Sequence, residues 1–216
     1  MCGRYVIEDS VEMQEFGNEM MRSALVQEWN KLYNIKPYGE MCPTDIVPVI
    51  AVNRNLKRSV FPMKWGFSGQ ALLINARVET AAVKPTFKEA WKRHRCIVPA
   101  SYYYEWEHLR DNSGRIKTGD RYAIQPKESS VTWLCGLYRF EGDLPYFVIL
   151  TREPGDRIRF LHDRMPLIMP DHLVNDWINP EADPDMLLRE AVTDVIAEKQ
   201  GRKCIAVHED GDYEKS

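Results

Sequence analysis

The most distinctive chemistry in the chain is at its start, in the pair Met1-Cys2. An initiator Met is generally removed when the next side chain is small, and Cys qualifies. Cys2 would then carry an α-amine and a thiol on adjacent carbons. Their ordinary pKa values, about 7.7–8.0 and about 8.5, leave both partly nucleophilic near neutral pH. Such an aminothiol reacts with aldehydes in a way that no internal cysteine can. The amine forms a Schiff base, and the thiolate then closes a stable thiazolidine ring. Read only by position, Cys2 is the second residue of a strand.

Three further side chains suit proton handling around such a reaction. Glu105 lies between Tyr104 and Trp106 in Y-Y-E-W, where partial desolvation would raise a carboxyl pKa toward a useful acid–base value. On an alternating strand it reads equally as an outward residue. His162, in H-D-R-M-P, carries an imidazole suited to proton transfer near pH 7, or it caps a turn at the surface. Asn75, in N-A-R, offers an amide that both donates and accepts, or an Asx turn ending a strand. The other cysteines, Cys42, Cys96, Cys135 and Cys204, form no C-x-x-C pair and no zinc-like spacing with His. No metal, disulfide framework or cofactor is expected. Cys96, Cys135 and Cys204 sit in apolar runs and read as small buried hydrophobes.

The elements that must position these groups follow from the pattern. Strands are predicted over Gly3–Ile7, Ile46–Val52, Lys57–Met63, Ala71–Ile74, Arg95–Val98, Tyr102–Trp106, Arg121–Gln125, Val131–Tyr138, Tyr146–Leu150 and Lys203–Val207. Helices are predicted over Ser10–Leu32, Glu79–His94 with Pro85 starting or kinking its main part, Pro154–Leu161, Asp171–Ile178 and Pro184–Lys199. Tyr33–Thr44 and Leu109–Gly119 read as loops. No Pro/Gly/Ser-rich linker divides the chain. The reading is a single-domain α+β fold around an antiparallel, barrel-like sheet, spanning residues 1–208, with an acidic tail at 209–216.

At 216 residues and 44% hydrophobic the chain is long enough for a real core and too apolar for disorder. It has no apolar run of transmembrane length and no signal-peptide h-region at MCGRYVIEDS, so an intracellular, cytoplasmic protein is expected. The net charge of −3 hides an asymmetry. Residues 54–95 hold ten basic and two acidic side chains, and residues 171–216 hold twelve acidic and five basic. A polyanion is therefore not excluded as partner for one face.

Several segments carry a resemblance. MCGRY, INARVET (74–80), FKEAWKRHRCIVPASYYYEW (87–106), CGLY (135–138), ILT (149–151) and HDRMP (162–166) together resemble the SOS response-associated peptidase (SRAP) family, from Met1 to about Trp177. The resemblance implies a pseudo-barrel α+β fold with flanking helices. It also implies recognition of abasic sites in single-stranded DNA, with covalent attachment through the mature N-terminal Cys as a thiazolidine. AP-lyase and autoproteolytic activities belong to the same implication. Residue by residue, Cys2 matches the nucleophile, Asn75 the polar group near the sugar, Glu105 the catalytic acid and His162 the group assisting sugar ring opening. Arg77 and Arg164 match phosphate-contacting arginines. Arg4, beside the nucleophile, is expected to do the same, and Trp65, in K-W-G, to offer a stacking face to a base.

The chain departs from the family pattern after Trp65-Gly66-Phe67, where only Ser68-Gly69-Gln70 stands in place of a Pro- and Trp-containing loop. Tyr38–Thr44 carries an extra-looking Gly-Glu-Met-Cys stretch that brings Cys42 into question. Ser101 and Tyr102 stand where the family often has Gly and a bulkier residue. Two competing functions remain at this level: a thiol peptidase using Cys2, His162 and Glu105, and a non-covalent single-strand binding module. A monomer is expected, with no membrane partner.

Overall fold

The computed structural model describes residues 2–30, 33–110, 113 and 115–201. Its frame is a closed ring of five strands. These are β3 (Ile46–Val52), β4 (Arg58–Trp65), β6 (Arg95–Ala100), β9 (Thr132–Glu141) and β10 (Leu144–Arg152), in the order β10-β4-β3-β6-β9 with β9 returning to β10. Closure removes the sheet edges that would otherwise need covering. The pairs are antiparallel except at the seam, where β10 runs parallel to β4 through Tyr146↔Lys64 and Phe147↔Trp65. The expected α+β barrel is present, antiparallel apart from this seam. β5 (Asn75–Arg77) also joins β10 in parallel, with Asn75 opposite Ile149. Two short strands, β11 (Met165–Pro166) and β12 (Ile168–Met169), pair with β10 and β9.

A second sheet of five strands lies beside the ring, in the order β13-β8-β7-β1-β2. It contains β1 (Arg4–Ile7), β2 (Gly39–Met41), β7 (Tyr102–Arg110), β8 (Ile116–Pro126) and β13 (Val195–Gln200). β1 lies between β2 and β7, with Tyr5 opposite Met41 on one side and Tyr103 on the other. The chain passes from ring to second sheet at Ser101, whose hydroxyl accepts from the Glu8 amide at 3.0 Å while its own amide donates to Val6.

Helices cover the ring. α1 (Val11–Met21) buries Met13, Phe16, Gly17 and Met20, the helical stripe that the sequence carries. It packs on β3 and β4, and the Glu19 carboxylate accepts from the Val60 amide at 2.9 Å. Gly17 leaves room for the Tyr38 ring, because a Cβ there would lie 2.5 Å from the Tyr38 hydroxyl and force that side chain to shift. The predicted single helix over Ser10–Leu32 is broken: Ser23 is extended, and α2 (Ala24–Trp29) starts afresh, while Lys31 and Leu32 lie outside the described residues. Ser23 favours a cap over a helix interior, which is the local reason for the break. α3 (Val78–Ala81) and α4 (Pro85–Arg93) divide Glu79–His94 as expected, with Pro85 in the first turn of α4. α5 (Val174–Ile178) and α6 (Pro184–Leu187) complete the set.

Other expectations change. The loop predicted at Tyr33–Thr44 contains β2, and the loop at Leu109–Gly119 is largely strand, with β7 reaching Arg110 and β8 starting at Ile116. Pro154–Leu161 yields only a short 3-10 turn at Asp156–Ile158. Ala71–Ile74 is not a strand: Leu73 bridges Phe67 and the strand begins at Asn75. The predicted helix Pro184–Lys199 ends at Leu187, and Val195–Gln200 instead pairs along β8. An open edge offering ladder partners outweighs the weak helical preference of VIAEKQ. The strand predicted at Lys203–Val207 and the tail at 209–216 lie outside the described residues.

Arg95 ties the cover to the ring. It is buried, and its guanidinium donates to the carbonyls of Trp177 at 2.7 Å, Trp91 at 3.0 Å, Ala182 at 2.9 Å and Asn179. Arg95→Met would leave these carbonyls without their donor in the interior. A loss of about 3 kcal/mol or more is expected, read as a lowered midpoint in chemical denaturation. Cys96 and Cys135 are buried in the same ring. A Cβ on Gly136 would meet the Cys96 sulfur at 2.9 Å, so that thiol fills the space the glycine leaves.

Candidate active site

Four separated stretches meet at Cys2. β1 carries it in, and Cys2 itself is fully buried. The Asn75 amide, at the start of β5, donates to the Cys2 carbonyl at 2.9 Å. The other end of that amide, Oδ1, is buried with no hydrogen-bond partner among the described residues. The β1–β7 register pairs Arg4 with Tyr104, so one step further sets Gly3 opposite Glu105. Glu105 is 5% exposed and its Oε1 accepts from the Trp106 amide at 3.4 Å. Burial, followed by the nearby Glu105 charge, pushes the Cys2 thiol far above its ordinary value. The thiol donates weakly to the Arg4 carbonyl at 3.9 Å. Tyr5 and Tyr103, cross-strand partners, are also buried, and both are raised by burial with the Cys2 sulfur next in effect.

His162 closes the group from the segment between β10 and β11. Its Nδ1 lies 3.0 Å from the Arg164 amide and 2.6 Å from an Asp163 carboxylate oxygen. These neighbours ask for opposite proton positions, since the amide needs a bare nitrogen and the carboxylate a protonated one. Burial lowers the His162 pKa, and Asp163 is largely in solvent, so the bare nitrogen with the proton on Nε2 is the better description. The Glu105 charge acts on both Cys2 and His162, so the three form one electrostatic cluster.

A cleft of about 740 Å³ opens beside His162, lined in part by Arg77, His108, Arg159 and Arg164. The arginines take different places in it. Arg77 is exposed at the end of β5. Arg164 is buried, with its fork on Glu79 at 2.8 Å for both arms and a further bond to the Thr151 carbonyl at 2.6 Å. That pairing braces the turn that holds His162 and holds the Glu79 carboxyl below the usual carboxylate range. Arg4 is half-exposed and ion-paired with Glu40.

Trp65 corrects the expectation of a stacking face. It is fully buried, lies 5.2 Å from the Tyr5 ring and 6.1 Å from Phe147, and donates to the Ile74 carbonyl at 3.0 Å. The β10–β4 seam has closed over it. The basic run 54–95 is also scattered: Arg95 is interior, Arg77 faces the His162 cleft, and Arg54 and Arg93 line a different one. The short Ser68–Gln70 loop is pinned by Arg139, which donates to the Ser68 carbonyl at 2.9 Å, and by Glu141, which accepts from its amide at 3.0 Å. Cys42 is half-buried, its amide donating to Asp45 at 2.8 Å. Ser101 makes the strand-to-sheet transition already described, and Tyr102 meets Tyr104 edge-to-face at 5.4 Å.

His108 is the site residue that sequence reasoning missed. Its ring centroid lies 4.7 Å from that of His162. The β7–β8 register shifts between Trp106 and His108, a bulge that re-aims the strand and that alternation cannot reveal.

The structure thus combines a closed barrel with a buried Cys2 held by the Asn75 amide, and with Glu105 and His162 from distant segments linked to it electrostatically. The chain belongs to the SOS response associated peptidase (SRAP) family, whose model matches residues 1–210. It is 30% identical over 206 residues to the abasic site processing protein YobE of Bacillus subtilis, covering 87% of this chain and 86% of that one. It is 27% identical over 135 residues to the abasic site processing protein YedK of Escherichia coli, covering 56% of this chain and 55% of that one. Among solved structures, a protein from Bacteroides thetaiotaomicron matches with a TM-score of 0.69 at 19% identity over 93% of both chains. A phage-related protein from Bordetella bronchiseptica matches with a TM-score of 0.68 at 20% identity, over 92% of this chain and 94% of that one. Among the described residues no helix is long and apolar enough to cross a membrane, and no cluster of His, Cys, Asp and Glu is placed to hold a metal.

Proposed function

We propose that the chain recognises abasic sites in single-stranded DNA and joins them covalently through Cys2 once Met1 is removed. The observation that carries this reading is the Asn75 amide held on the Cys2 backbone with its own oxygen buried and unengaged. An amide so placed can orient a nitrogen nucleophile and accept from it. The abasic site processing names of the relatives agree with it.

Protons and bonds balance at each step. His162, after taking up a proton to become imidazolium, gives its Nε2 proton to the deoxyribose ring oxygen as that ring opens to the aldehyde, and is left as a neutral imidazole. The Cys2 amine adds to C1′, and the carbinolamine loses water to form the imine, Glu105 carrying the protons. The Cys2 thiol then gives up its proton, its sulfur bonds to C1′, and the imine nitrogen takes a proton to complete the thiazolidine. The Cys2 thiol, held neutral by burial and by the Glu105 charge, needs a base at this last step, and Glu105 is the neighbouring carboxylate. The same imine can lose a C2′ proton and expel the 3′ phosphate, which is the lyase branch. Arg77, with Arg4, supplies charge for phosphates. A peptidase reading is less supported. It needs a thiolate–imidazole pair, whereas the thiol here donates to Arg4 and Nδ1 of His162 takes the Arg164 amide.

The test uses processed protein and single-stranded DNA with one abasic site, read by denaturing gel and intact mass. An adduct of protein plus DNA minus water, absent with intact DNA and lost in Cys2→Ala, is the expected result. Salt-sensitive binding with no adduct would leave only a binding module, and peptide cleavage without adduct a protease.

A further inference from the structure

His108 is unassigned by the steps above, yet it shares the cleft with His162. The bulge between Trp106 and His108 turns its ring toward the other imidazole, with centroids 4.7 Å apart and planes tilted by 58°. Two imidazolium charges at that separation repel each other. The Arg164 amide occupies Nδ1 of His162, which leaves Nε2 as the nitrogen that exchanges its proton with the cleft. We propose that His108 is a positioning residue for His162, fixing its charge state so that the pair carries a single proton between them.

The other charged groups around His162 are Glu105 from β7, Asp163 from its own turn, Arg77 from β5, and Glu153 and Arg159 from the segment after β10. The Cys2 amine joins them in the processed chain. The Arg164 guanidinium is turned to Glu79. Of these groups, His108 is the one in ring contact with His162. Because His108 is exposed, solvent screens its effect, and a shift of roughly half a pH unit per unit of charge is expected.

The catalytic side of this assignment rests on the reading above, and the experiment separates the two. The ring proton of His162, assigned by its loss in His162→Gln, is followed by NMR through pH in His108→Lys, His108→Gln and His108→Glu. Its titration midpoint is expected lowest with Lys, intermediate with Gln and highest with Glu, spanning about one pH unit. The pH limb of the crosslinking rate that follows His162 moves in the same order. Equal displacement by all three variants would reveal a merely structural role, and no displacement would remove the coupling; either overturns the proposal. If the midpoints follow the charge order but no variant and no wild-type protein forms an adduct, the assignment of His108 stands and the crosslinking function falls.

Discussion

On the proposed function, Glu105→Gln is expected to slow adduct formation by about 100-fold or more, in a single-turnover time course on a denaturing gel. The substitution keeps the volume and an acceptor at a site that is 5% exposed, so β7 and its pairing with Tyr122 stay intact. It removes the charge and the exchangeable proton. The sign of the effect discriminates between two roles. The Glu105 charge adds to burial in raising the Cys2 thiol, so Gln makes that thiol easier to ionise. Were thiol ionisation the slow step and the carboxylate a mere electrostatic neighbour, the variant would react faster. A slower reaction identifies Glu105 as the group that moves protons through carbinolamine, imine and ring closure. An unchanged or faster rate would take that role away from it.

On the same proposal, retention of Met1 is expected to abolish the adduct altogether. In the unprocessed chain the Cys2 nitrogen belongs to a peptide bond, whose lone pair is delocalised and cannot attack an aldehyde. The thiol alone does not substitute for it, because burial holds it protonated. A chain with Lys inserted between Met1 and Cys2 keeps its leader, and intact mass will report no DNA-bound species. The same chain carrying a cleavable leader recovers full reactivity when a protease releases Cys2 as the first residue. An adduct on the uncleaved form would show that the amine is not the nucleophile.

Most residues of the candidate site were legible because each stands in a short, chemically distinctive motif, although the motifs lie far apart in the chain. Cys2 announces itself by position, and N-A-R, Y-Y-E-W and H-D-R-M-P each place one polar group beside strand-forming residues. The strands of the ring follow from their apolar runs, and Pro85 marks the start of α4. What failed to show depends on tertiary closure. Trp65 reads as a base-stacking surface until the parallel β10–β4 seam covers it with Phe147. Arg164 reads as a phosphate ligand until its fork is found on Glu79. Val195–Gln200 reads as helix until β8 offers an unpaired edge. His108 needed a bulge, which leaves no periodic trace.

The assembly of the site from distant stretches has a consequence for timing. During synthesis Cys2 leaves the ribosome long before Asn75, Glu105 or His162, and the amide that grips it lies 73 residues downstream. Long-range pairings of this kind form late, after the costly closure of large loops. The nascent amino end therefore spends its early life without Asn75, Glu105 and His162 around it. On the proposed function, the Asn75 amide that orients Cys2 and the burial that restrains its thiol both arrive only when the barrel has shut, so folding converts a generally reactive aminothiol into a directed one.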